Sequence, residues 1–110
     1  MASWQHSVVS TIGRWRREWR IHRESAAIAR EVYPALWENV RRKIAGMSET
    51  DLIDYAKVRA AQLSQERVDC LMQSNPELSG AFATRLLLKS TGRATALVLS
   101  AVANARRSAA

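Results

Sequence analysis

At 110 residues, 47% apolar and 25% charged, the chain has one domain's worth of an ordinary soluble globular composition, too short for two cores and too apolar for wholesale disorder. Its single cysteine, Cys70, excludes an internal disulfide, fits a reducing cytoplasm and reads as a small core residue. The formal charge of +7 invites a polyanion, yet residues 1–45 hold nine bases and four acids, 46–75 three and five, and 76–110 five and one. An acidic middle between basic ends partly neutralises itself across a bundle, so net charge overstates the field offered to a partner.

The chain reads as all-α, with no stretch that alternates at strand period. Residues 1–17 lack acids and superficially resemble a transit peptide, but their pattern continues downstream and reads as structure. From Trp4 to Ile44 the apolar stripe is Trp4, Val8, Ile12, Trp15, Trp19, His22, Ala26, Ala29, Tyr33, Trp37, Val40 and Ile44, within an arc of roughly 100° at helical spacing. Ile12, Trp15, Trp19, His22, Ala26, Ala29, Tyr33, Leu36 and Val40 also fit alternating heptad positions, a coiled-coil-like seam. Pro34 interrupts this segment, deleting one helical hydrogen bond at a cost of about 3 kcal/mol. Because the stripe keeps its phase beyond it, the expectation is one long, Pro-kinked helix; a break at Pro34, giving four helices, is the alternative.

Gly46 supplies a stop, and Ser48 with Asp51 resembles a capping box. A second helix follows from about Glu49 to Gln73. Ser74-Asn75-Pro76-Glu77 then offers a cap, a first-turn proline and a favourable acid, so a third helix is expected from there to about Arg107. Gly92 is a candidate bend, and Ala94, Ala96, Ala101, Ala103 and Ala105 offer small side chains for close helix approach. Arg85, Lys89 and Arg93 interrupt the apolar run from Ala81 to Ala105, so no transmembrane segment is expected.

The expected architecture is a single domain, residues 1–110, forming a three-helix antiparallel bundle. A first helix of about 63 Å against about 38 Å for the second leaves residues 1–23 as a protruding basic, Trp-rich arm. Trp4, Val8, Ile12, Trp15 and Trp19 are its candidate interaction surface. Three indoles that each bury about 150–250 Å² offer roughly 11–19 kcal/mol gross, which a monomer seldom leaves bare. The expected function is a non-enzymatic helical module that self-associates, most simply as a homodimer, or docks on a protein partner. Arg14, Arg16, Arg17, Arg20 and Arg23 are candidate contacts to a polyanion, making the alternative a peripheral binder of an anionic membrane surface or of nucleic acid, the latter without sequence specificity. Against that, Arg14 with Glu18, Arg20 with Glu24 and Glu38 with Arg42 stand four apart and are spaced to pair along the helix. His22 reads as a seam residue. His6, His22 and Cys70 have no metal-ligand spacing, and no nucleophile elbow, glycine-rich phosphate loop or cofactor motif is present, so neither an enzyme nor a metal or cofactor site is expected.

Overall fold

A computed structural model describes the backbone of residues 2–78 and 80–109 and the side chains of residues 11–78 and 80–109. The chain is an all-α three-helix bundle: α1 (Ala2–Arg41), α2 (Glu49–Ser74), a 3-10 turn at Pro76–Leu78, and α3 (Ala81–Ala109). α1 runs through Pro34 without interruption, so the four-helix alternative does not occur. The exposed proline removes one backbone donor toward Arg30, and the flanking turns packed through Val32 and Leu36, 3% and 0% exposed, outweigh that loss.

The local signals fall close to where the sequence places them. α1 ends at Arg41 rather than at Ala45, and the chain turns through Lys43 N–H to Val40 C=O and Gly46 N–H to Lys43 C=O hydrogen bonds. Ser48 caps α2, its hydroxyl accepting from the Asp51 N–H at 3.2 Å. The start of the third helix differs from expectation. Asn75 closes α2 instead of opening α3, its backbone N–H reaching Met72 C=O and its side-chain amide donating to Leu71 C=O. Pro76 then begins only the 3-10 turn, and Gly80, at φ +79°, takes the left-handed backbone that favours glycine. Only after it does α3 begin, and it continues without a break past Gly92.

The core is organised on steps of four residues. α1 buries Ile28, Val32, Leu36 and Val40; α2 buries Leu52, Ala56, Ala60, Ser64 and Val68; α3 buries Leu86, Ser90, Ala94, Val98 and Val102. Such rows are the ridges that pack into the grooves of a neighbouring helix. Leu52 and Val102 line one cavity, and stepping from it along the two antiparallel helices sets Ala56 level with Val98, Ala60 with Ala94, Ser64 with Ser90 and Val68 with Leu86. The buried side chains at the centre are small: Ala56, Ala60 and Ser64 on α2, Ser90 and Ala94 on α3. The Glu18–Arg85 ion pair puts Ser25 of α1 within a turn of the Ser64–Ser90 level, giving one layer with a fully buried serine from every helix. Ser25 Oγ donates to His22 C=O at 3.0 Å, whereas the Ser64 and Ser90 hydroxyls have no partner.

This arrangement corrects the heptad seam. Of its nine positions only Ala29, Leu36 and Val40 are buried; the face that packs is centred on Ile21, Ser25, Ile28, Val32 and Leu36, about 100° round the helix from the indoles. The small-residue expectation for α3 holds at Ala94, while Ala96 and Ala103 are exposed. Cys70, expected inside, is exposed. By length and composition α3 reaches what a membrane span requires, its cations notwithstanding, but here it contributes one wall of the core. The molecule is elongated, 66 × 28 × 19 Å, because α1, about 60 Å long at 1.5 Å per residue, sets its length.

Candidate interaction surface

The outer face of α1 carries a row of exposed flat rings. Trp15 is 66% exposed and Trp19 56%, with Ile12 at 47% beside them; the side chains of Trp4 and Val8 lie outside the described residues. Residues three and four apart on a helix stand one above the other. The Trp15 and Trp19 rings accordingly stack at 6.5 Å between centroids and 10° between planes, and Trp19 stacks on His22 at 6.1 Å and 20°. His22 is therefore an exposed member of the row and not a seam residue. Its Nδ1 lies 2.7 Å from an Arg93 guanidinium nitrogen on α3.

These rings are exposed because of the face they occupy. Residues 14–21 run beside the start of α3: Arg14, Arg17, Glu18 and Ile21 share a cavity with Glu77, Leu78, Phe82 and Arg85. The second helix thus ends near residue 20 of the first, as the lengths imply. Ile21 is 1% exposed there, but the indoles lie on the outer face with Glu18 and His22, which reach across the seam between α1 and α3 to Arg85 and Arg93. That seam continues as a shallow groove lined by Ala26, Ala29, Arg30 and Tyr33 from α1 and by Arg93, Ala96, Leu97 and Ala101 from α3. Leu97 is 45% exposed. No α2 residue lines it.

The electrostatics around the row differ from the sequence expectation. Glu18 does not pair with Arg14; it holds Arg85 of α3 at 2.5 Å. That hydrogen bond and the Arg85 and Lys89 charges keep its carboxyl below the usual range, and the carboxylate in turn raises the Arg85 guanidinium. Glu24 lies 3.8 Å from Arg23 rather than pairing with Arg20. Only Glu38 behaves as expected, binding Arg42 at 2.8 Å and also Arg41 at 2.7 Å, which lowers its pKa to about 2.

The five arginines expected to act together separate. Arg16 and Arg23 are exposed along the edge of the ring row away from α3, Arg14 and Arg17 line the cavity at the 3-10 turn, and Arg20 is half-buried with its Nε sealed and unpartnered. The structure adds cations that the sequence reading missed. Arg30 continues the line of Arg16 and Arg23 at steps of seven, a signal present in the sequence. Arg85, Lys89 and Arg93 border the row from the other side, which depends on α3 lying alongside α1 and has no local signature. Among the described residues no cluster of His, Cys, Asp and Glu could hold a metal ion. Comparison with known protein families, with characterised proteins and with solved structures finds no match to this chain.

Proposed function

We propose that this chain is a non-enzymatic helical interaction module that docks through the outer face of α1, with Ile12, Trp15 and Trp19 as its anchors and Trp4 and Val8 extending that face toward the amino end. One observation carries the reading: the bundle closes a complete core without these rings, leaving two indoles more than half exposed. With each indole able to bury about 150–250 Å², covering the exposed parts of Trp15 and Trp19 yields roughly 4–8 kcal/mol gross. The two titratable groups beside the rings, Glu18 and His22, are engaged by Arg85 and Arg93, which favours a surface that grips over one that reacts.

A protein helix, including a second copy of this chain, suits the groove that continues the row. In an antiparallel two-fold pair, like edge meets like edge, so Arg16, Arg23 and Arg30 would face their own copies. Self-association by this route is expected to strengthen with salt, which screens like charges. The test is mass in solution over a concentration series, with acrylamide quenching of tryptophan emission, for the wild type and Trp15→Asp. The wild type should show partner-dependent protection that the variant loses while retaining its helical circular dichroism. Tryptophans equally quenchable in both proteins, alone and with protein, lipid or nucleic acid, would refute the reading.

A further inference from the structure

We infer that the partner of this face is an anionic lipid bilayer, with Ile12, Trp15 and Trp19 at the boundary between headgroups and acyl chains and a line of cations in the phosphate layer on either side. The inference rests on the docking reading above and names its partner.

Three observations carry it. The exposed band is aliphatic as well as aromatic: Ile12 precedes the rings, and Leu97 follows them in the groove, 47% and 45% exposed. Nucleobases stack on indoles, but aliphatic side chains add nothing to that stacking, whereas they enter the acyl boundary readily. Second, the band has a cationic border on both sides. Arg16, Arg23 and Arg30 form one border at steps of seven on α1, and Arg85, Lys89 and Arg93 form the other at steps of four on α3; the Arg85–Glu18 and Arg93–His22 contacts fix the second border against the rings. Long cationic side chains lie over apolar surface while their charged ends reach phosphate. A second copy would instead set the Arg16 border against itself. Third, the molecule is polarised across its width. α2 carries Glu49, Asp51, Asp54, Glu66 and Asp69 against three bases, and α3 carries five bases and no acid. Since α2 contributes nothing to the α1–α3 groove, the acidic helix faces away from a surface on which the ring row rests.

A Lys or Arg close to an anionic leaflet strengthens partitioning by roughly fivefold. The experiment is sedimentation of the full chain with vesicles of phosphatidylcholine alone or mixed with phosphatidylglycerol, with the tryptophan emission maximum recorded on each. Binding should require phosphatidylglycerol, shift emission to the blue and weaken with salt. Lys89→Gln with Arg93→Gln should weaken it by roughly 25-fold, with helical content retained. Trp15→Ser with Trp19→Ser should abolish the blue shift, and Lys57→Gln on α2 should change nothing. Equal binding to neutral vesicles, or an α3 double variant that binds like the wild type, overturns the inference. So does tight binding of oligo-dT without vesicle binding. Tryptophans protected in a lipid-free dimer, with no vesicle binding, sink the lipid inference but leave the docking reading standing; tryptophans quenchable under every condition sink both.

Discussion

The inner and outer faces of α1 lie about 100° apart on one helix and carry opposite kinds of residue. Inside are Ile21, Ile28, Val32, Leu36 and Val40, each no more than 5% exposed; outside stand Trp15 and Trp19, with more ring in water than in protein. Trp15 and Trp19 are left outside the core, while Trp37, further along the same helix, packs against it. The central layers of α2 and α3 that α1 faces hold Ala60, Ala94, Ser64 and Ser90, and an indole inserted among such buried side chains would overpack the core. Position along the helix and the face occupied separate the two sets: one stabilises the fold, and the other is the face proposed to meet a partner.

That comparison breaks most directly at Leu36. Leu36→Ala removes a fully buried side chain and should cost about 2–5 kcal/mol, whereas Trp15→Ser should fall within about 0.5 kcal/mol of the wild type, both read by urea unfolding under circular dichroism. Comparable losses would make the outer face part of the fold. Pro34 comes next, since α1 passes unbroken through it with the ring in solvent. Pro34→Ala should restore a helical hydrogen bond and raise stability by up to about 3 kcal/mol; a loss would show that the proline shapes the inner face. A smaller gain is expected at the serine layer. Ser90→Ala removes a buried hydroxyl without a partner and should stabilise by roughly 1–2 kcal/mol, with any destabilisation pointing to a hydrogen bond within the layer.

The smallest effect is that of pH on the ion pair linking the ring row to α3. Glu18 titrates below its ordinary 4.5 in the folded chain because of Arg85. Its contribution is present above that ordinary value and is lost as pH falls through the lowered folded one. Glu38, lowered to about 2, loses its own contribution between 4.5 and about 2. Thermal melting below pH 4.5 should therefore fall less steeply for Glu18→Gln than for the wild type. Equal slopes would show that the Glu18–Arg85 contact adds nothing to the hold of α3 on α1.

Much of this was legible along the chain. Ser48 and Asp51 announce the start of α2 because a cap is a contact between neighbours in sequence. The exposure of Ile12, Trp15 and Trp19 was expected from an overhang of the first helix, whereas residues 14–21 lie beside the start of α3 and it is the face they occupy that leaves the rings outside. The start of α3 was misplaced because Ser74-Asn75-Pro76 serves equally as the end of one helix and the opening of another; Asn75 is bonded backward to Leu71 and Met72, and Gly80 takes the turn. Arg85, Lys89 and Arg93 were unreadable as part of the surface, since their place beside Trp19 and His22 comes from a helix more than sixty residues downstream.

By itself, the sequence determined the all-α class, most of the helix ends and the amphipathic character of the first helix, because periodicity, caps and breakers act within a few residues; whether Pro34 divides that helix was settled by packing. Which side of that helix turns inward was decided only by tertiary packing. The row that turns inward, Ile28, Val32 and Leu36, forms one core with Ala56, Ala60 and Ala94 of α2 and α3, while Trp15 and Trp19 stay outside. Helix packing likewise decided which cations surround the rings, since the strength of an electrostatic contact depends on distance through space and the chain order does not encode it.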